Sequence, residues 1–169
     1  TCLNRGCIPS KMLIHSADVV ETINRAKLFG IYPKGYRIDF KKIVDRVTRF
    51  VDEDSRGIES GIKRTKNMTL FKTTGKFIAH KTLKVGNKEI TGDKIFIAAG
   101  TRPSVPPIQG LKDVDYMTSD EALRLKKQPK SITILGGGYI AAELAHFYGA
   151  LGTKISIIQR GKYLIPNED

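Results

Sequence analysis

Cysteine is scarce: the chain has two among 169 residues. That excludes a disulfide scaffold, which replaces a small core with several bridges. Long apolar runs are missing too. None approaches the roughly 18 residues of a membrane-spanning helix, so no span and no membrane partner are expected. Internal repeats and low-complexity tracts are absent. The sequence has no initiator Met and no basic-then-apolar leader, and it closes at Asn167-Glu168-Asp169 without a terminal element. The expectation is an excerpt of a longer protein with no targeting segment. Acidic residues are also few, 17 against 29 Lys and Arg, for a formal net charge of +12. What remains is ordinary: 40% hydrophobic and 27% charged residues support a packed core and argue against disorder.

The positive charge is uneven. Residues 25–88 hold seventeen Lys and Arg against six Asp and Glu, whereas the flanking segments are nearly balanced. Such a surplus serves nucleic acid, an acidic partner or simply a solvated face. It lies on amphipathic positions without interleaved aromatics, so a solvated surface is expected and no nucleic acid. A basic binding module remains the non-enzyme alternative.

Periodicity gives the elements. Met12, Leu13, Val19, Val20 and Ile23 predict a helix over 10–29, stopped at Gly30. Residues 32–37 read as a loop. Ile43, Val47, Phe50, Val51, Asp54, Ile58 and Ile62 predict a second helix with one apolar stripe, interrupted at Asp54. The period then falls to two. Short strands are expected at 69–71, 75–79 and 82–85, with Gly86-Asn87 turning into 89–91. Residues 94–98 read as a buried parallel strand. Pro103, Pro106, Pro107 and Gly110 mark a linker and a domain boundary near 104–115. Ser119-Asp120-Glu121 opens a short helix ended by Pro129. Buried strands follow at 131–135 and 154–158, with a helix over 139–150 between them.

That last stretch carries a nucleotide signal. Strand, glycine-rich turn, helix and strand fit within about thirty residues, with Gly136 and Gly138 in a G-x-G-x-x-A pattern that ends at Ala141. Gly136 permits a tight turn, Gly138 lets a pyrophosphate approach the backbone, and Ala141 allows close packing of helix on strand. The helix start then offers free N–H groups to phosphates. An acid normally ends the second strand and holds the adenosine ribose. Gln159 stands there, followed by Arg160, with Lys162 nearby. Gln159 brings no charge to repel a 2′-phosphate and Arg160 can clamp one, so NADPH is favoured over NADH.

Cys2 and Cys7 sit five apart. A bridge closing so short a loop removes little chain entropy, so the pair suits opening and closing better than stapling. Thiolate metal sites take about four ligands, and His15 is the only nearby candidate, so no metal is expected.

The first eleven residues, TCLNRGCIPSK, resemble the redox-active disulfide signature of the pyridine nucleotide-disulfide oxidoreductases. This FAD-dependent group includes dihydrolipoyl dehydrogenase, glutathione reductase, mycothione reductase and mercuric reductase. DKIFIAAGTRP (93–103) resembles the segment closing that family's FAD domain. TSDEAL (118–123) resembles the connection into the pyridine-nucleotide domain, and GGGYIAAE (136–143) resembles its phosphate loop. The I-P-S-K ending is similar to dihydrolipoyl dehydrogenase, and GGGYIAAELAH is similar also to mycothione reductase. Two departures stand out. The usual A-T-G near the flavin is Ala98-Ala99-Gly100, and the usual acid is Gln159.

The resemblance implies an α/β fold, with Rossmann-like three-layer ββα domains present in part. Residues 1–108 would be a partial FAD-binding domain and 109–169 a partial NAD(P)-binding domain. It implies that Cys2 is the interchange thiol and Cys7 the thiol beside the flavin. Lys11 would lie by the flavin, paired with Glu143. Thr1, Lys11, Gly75, Ala98, Ala99 and Gly100 would contact FAD. Gly136, Gly137, Gly138, Tyr139, Ile140, Ala141, Glu143, Gln159 and Arg160 would line the NADP or NAD site. The family's acid–base histidine lies in a C-terminal domain, so His15, His80 and His146 read as structural or surface residues. The resemblance further implies a cytoplasmic homodimer acting on a small thiol or disulfide, or on a lipoyl domain.

Overall fold

A parallel two-stranded sheet and the helix between its strands form the best-defined part of the fold. In the computed structural model, which describes residues 1–165, β-strands pair over Ser131–Leu135 and Lys154–Ile158. The register runs from Ser131 opposite Lys154 to Leu135 opposite Ile158. Helix Tyr139–Ala150 connects them. All three elements carry the bounds that the sequence pattern gives. Asn167-Glu168-Asp169 lie outside the described residues.

The chain divides into two compact units, Thr1–Glu53 with Pro103–Asp169, and Asp54–Arg102. In chain order the first unit begins with α1 (Cys2–Arg5) and α2 (Cys7–Arg25). A short 3-10 turn over Ala26–Phe29 follows, ended by Gly30. Helix α3 (Phe40–Arg64) runs from the first unit into the second. The second unit holds an antiparallel meander of β1 (Gly75–Ala79), β2 (Thr82–Val85) and β3 (Lys88–Thr91). The first unit resumes with α4 (Ser119–Ala122), β4 (Ser131–Leu135), α5 (Tyr139–Ala150) and β5 (Lys154–Ile158). The result is a partial Rossmann-like α/β fold.

One apolar cluster organises the first unit. Leu13, Ala17 and Val20 of α2, Phe40, Val44, Val47 and Val51 of α3, and Phe147 and Tyr148 of α5 are all buried in it. The rings of Phe147 and Tyr148 meet edge to face at 4.9 Å, and each lies 5.9 Å from Phe40. The Tyr148 hydroxyl donates to the Ala122 carbonyl at 2.6 Å, so the phenol is satisfied and α4 is tied to α5. Thr118 caps α4 in a reciprocal box with Glu121.

Several expectations change. The first helix starts at Cys7 and is preceded by the separate turn α1, because Gly6 breaks the run between them. Val19 is exposed, since the buried face of α2 passes through Leu13, Ala17 and Val20. The apolar stripe of α3 is buried only up to Val51, and Phe50 and Ile58 are exposed. The polar break at Asp54 coincides with the boundary between units. The short helix α4 ends at Ala122, well before Pro129.

Residues 69–71 and 94–98 form no strand. Phe96 is 89% and Ile97 77% exposed. A buried strand needs ladder partners and two covering faces, and among the described residues nothing pairs with this run. β4 and β5 are likewise half-open, alternating between exposed and partly covered residues. Their sheet has two strands among the described residues.

Burial pushes the Tyr148 phenol up to about 12, from an ordinary value near ~10. A raised value means that folding favours the neutral phenol. Its contribution is therefore complete below about pH 10 and lost as pH rises through about 12. Tyr148→Phe leaves the Ala122 carbonyl unpaired and is expected to cost about 1–3 kcal/mol near neutral pH. Urea unfolding at a series of alkaline pH values should show that the variant has lost the part of the alkaline decline that the phenol contributes.

Candidate functional site

The site is built from two helix starts. Cys2 lies in α1, and Cys7 is the first residue of α2. Gly6 makes the connection by close approach. A Cβ there would lie 3.3 Å from the Cys2 Cα and 3.4 Å from the Thr1 carbonyl oxygen. Both cysteines are free and exposed. The Cys7 thiol shares a hydrogen bond with Cys2, and this contact, followed by the charge of Cys2, raises Cys7 above its ordinary value. Desolvation and the Glu143 carboxylate add to the rise, against a lowering by a backbone hydrogen bond. The start of α2 supplies a dipole that favours a thiolate. For Cys7 the neighbouring thiol outweighs the helix.

Lys11 stands one turn into α2, and Glu143 one turn into α5. Their side chains form an ion pair in which Lys11 Nζ donates to Glu143 Oε1. Partial burial alone would raise the Glu143 carboxyl, but hydrogen bonds from Lys11 and Ser10, with the Lys11 charge, bring it below the usual carboxylate range. Further along the same helices, His146 Nε2 and Asp18 Oδ1 lie 2.9 Å apart. This gives His146 the structural place that the sequence suggested.

The glycine loop follows β4. Gly136 has φ +110°, a conformation that favours glycine, and its N–H donates to the Ile158 carbonyl at 2.9 Å. Gly137 is closely covered: a Cβ there would meet Leu164 Cδ2 at 2.6 Å and Gln159 Cδ at 3.0 Å. Gly138 begins α5 without a side-chain cap, which leaves first-turn N–H groups to an anion. Ala141 is buried, whereas Tyr139 and Ile140 are exposed.

Gln159 lies across Gly137 and donates to the Tyr163 carbonyl at 3.3 Å. The Ile165 N–H reaches the Gly137 carbonyl at 2.7 Å. Residues 159–165 therefore turn back beside the loop, and Arg160 and Lys162 project as exposed side chains. In the second unit, Gly75 opens β1, and Ala98-Ala99-Gly100 form an exposed segment without regular structure in which Gly100 has φ +75°.

The described residues thus bring Cys2 to Cys7, Lys11 to Glu143, and Gly137 to Gln159. Two contacts had no sequence signal. Arg5 pairs with Asp120 across 115 positions, and Leu164 covers Gly137. Neither the spacing nor the periodicity of those residues points to a partner.

The pyridine nucleotide-disulphide oxidoreductase family matches residues 1–169. The chain belongs to this family. Its similarity to individual pyridine nucleotide-disulphide oxidoreductases covers the whole chain or nearly so. It is 36% identical to mycothione reductase of Mycobacterium tuberculosis over 100% of the chain and 38% of that protein. It is 37% identical to dihydrolipoyl dehydrogenase of Chlamydia pneumoniae over 94% of the chain and 35% of that protein. Among solved structures, the HOCl-induced flavoprotein disulfide reductase from Escherichia coli matches with a TM-score of 0.83 and 32% identity. The match covers 100% of this chain and 35% of that one. The chain thus spans somewhat over a third of the length of these relatives.

Two exposed thiols in contact form a disulfide when they lose two hydrogens. Mild oxidation is expected to lower the mass of the peptide holding Cys2 and Cys7 by two hydrogens, and mild reduction to restore it. Thiols that stay free through this cycle would exclude redox duty for the pair.

Proposed function

We propose that the intact protein is an FAD-dependent disulfide oxidoreductase of the dihydrolipoyl dehydrogenase type. Electrons pass among a pyridine nucleotide, flavin, the Cys2–Cys7 pair and a small thiol, disulfide or lipoyl domain. The observation that carries this reading is the Lys11–Glu143 pair. It fastens the helix that starts at Cys7 to the helix that starts at the glycine loop, so thiol chemistry and nucleotide binding share one scaffold. We propose residues 1–108 as the flavin portion and 109–169 as the nucleotide portion of a cytoplasmic homodimer.

The residues suit the two cofactors. The uncapped start of α5 fits a pyrophosphate, and a Cβ on Gly138 would meet nothing within 4 Å. For the flavin, the candidates are Thr1 and Lys11 in the first unit and, in the second, Gly75 with the exposed small residues Ala98, Ala99 and Gly100. The missing hydroxyl of the A-A-G segment leaves its backbone groups as donors. When bound, FAD and nicotinamide supply the hydride chemistry.

The chain's own part is exchange. The Cys2 thiolate attacks one sulfur of a substrate disulfide and releases the other as a thiolate. Cys7 then attacks Cys2 Sγ, releases the second substrate sulfur and leaves a Cys2–Cys7 disulfide. Two electrons have moved from the cysteine pair to the substrate. The 36% identity to mycothione reductase supports a low-molecular-weight thiol reductase as the alternative. The 31% identity to mercuric reductase of Lysinibacillus sphaericus supports a mercuric reductase in the same way.

Two experiments on the intact enzyme test this reading. Cys2→Ser is expected to leave a thiolate at Cys7 and a long-wavelength absorbance band against the oxidised flavin, and Cys7→Ser to abolish that band. Equal spectra would refute the division of roles. The second experiment concerns nucleotide choice. Arg160 is exposed beside Gln159, and a charged hydrogen bond to a 2′-phosphate is worth roughly 1.5–3 kcal/mol, about one to two powers of ten. A preference for NADP(H) is expected. Arg160→Ala should remove most of it, and Gln159→Glu should shift it towards NAD(H). The ratio of kcat/KM values for the two nucleotides is the measurement. A wild-type preference for NAD(H), unchanged by Arg160→Ala, would overturn the assignment.

A further inference from the structure

Helix α1 buries none of its four residues. Three features bear on the place of Cys2. Gly6 lets the backbone close on Cys2. The Cys7 thiol bonds to the Cys2 side chain. Arg5 Nη1 donates to Asp120 Oδ2 at 2.9 Å, joining α1 to α4.

The charges around the pair have a pattern. Residues three apart in a helical turn are neighbours, with Cβ atoms about 5–6 Å apart. Arg5 therefore stands beside Cys2 and, across Gly6, two residues before Cys7. A free guanidinium at that range stabilises a thiolate and speeds its chemistry. Here its charge is committed to Asp120, with Glu121 also within its influence. Lys11, the other cation flanking the pair, is committed to Glu143. The charged groups on the elements around the pair are Arg5 on α1, Lys11 on α2, Asp120 and Glu121 on α4, and Glu143 on α5, and of these the Glu143 charge reaches Cys7.

We infer that Asp120 is a positioning residue for Cys2: by holding Arg5 it anchors α1 on α4 and keeps the guanidinium away from the Cys2 thiolate. The Arg5–Asp120 pair then sets how readily Cys2 ionises and so how fast it enters exchange. This rests on the reading of Cys2 and Cys7 as the redox pair. It adds a control held by a carboxylate more than a hundred residues away.

The test is alkylation of Cys2 by iodoacetamide in the reduced full chain, read by peptide mass spectrometry between about pH 6 and 10. Asp120→Asn frees Arg5. An exposed cation at this distance is expected to move the Cys2 profile about 0.5–1 unit to lower pH, a three- to tenfold faster reaction near pH 7, roughly. The double variant Arg5→Met/Asp120→Asn should return to the wild-type profile, and Asp120→Glu should retain it. A purely structural role would give the single and double variants the same change. An unshifted profile in folded Asp120→Asn, or a shift that survives in the double variant, would overturn the inference. Should Asp120→Asn fail to fold by circular dichroism, the double variant Arg5→Met/Asp120→Asn alone decides, since it removes both charges together. A rate within about twofold of wild type sustains the muted-charge reading, and a larger slowing overturns it. Alkylation does not depend on turnover. A pair that never forms a disulfide would undo the functional reading and leave this measurement intact.

Discussion

Phe147 and Tyr148 are adjacent in α5, and each is 1% exposed. Successive residues of a helix point about 100° apart. Burying both therefore requires cover over a wide arc of the helix. On one side Leu13, Ala17 and Val20 of α2 and Phe40, Val44 and Val47 of α3 supply it, and on the other Ile132 and Ile155 of the sheet. The aromatic pair turns three separate stretches of sequence into one body. Ring-to-ring contact with Phe40 adds directional packing to the area buried.

The positions of the chemical groups follow from that constraint. Once α2 and α5 are packed through Leu13, Ala17 and Phe147, their starting turns are brought within side-chain reach. Lys11 and Glu143 meet at one level and Asp18 and His146 at the next. These exposed pairs contribute little to stability. Their value lies in orientation. The glycine loop is fixed by β4 behind it and α5 ahead of it, so its free N–H groups have a fixed direction towards an anion.

The legible parts of the chain were those whose signals are local. The bounds of β4, α5 and β5 follow from strand and helix periods punctuated by Gly136 and Gly152, and the meander from its Gly86-Asn87 turn. The paired cysteines and the glycine loop lie in short contiguous motifs, which is why they were readable. Residues 94–98 failed because an apolar run specifies burial but not its partner. The α3 stripe failed beyond Asp54 for a related reason: periodicity shows which face is apolar and leaves open what covers it. Arg5 and Asp120 were invisible because an ion pair between distant residues has no period, and each residue alone reads as a solvated charge.

The behaviour of the thiols shows the same limit in electrostatic form. The fold places Cys7 at a helix start, where the dipole favours a thiolate by an amount that falls off within one turn and is screened at the surface. The neighbouring Cys2 acts at hydrogen-bond range, and its effect on Cys7 wins. The cations that would oppose it are both spoken for, Arg5 by Asp120 and Lys11 by Glu143. Both carboxylates come from the segment beyond Pro103. The acidity of Cys7 is therefore a property of the assembled unit, not of the motif. Any movement of α4 or α5 against α1 and α2 changes how much positive charge reaches the sulfurs.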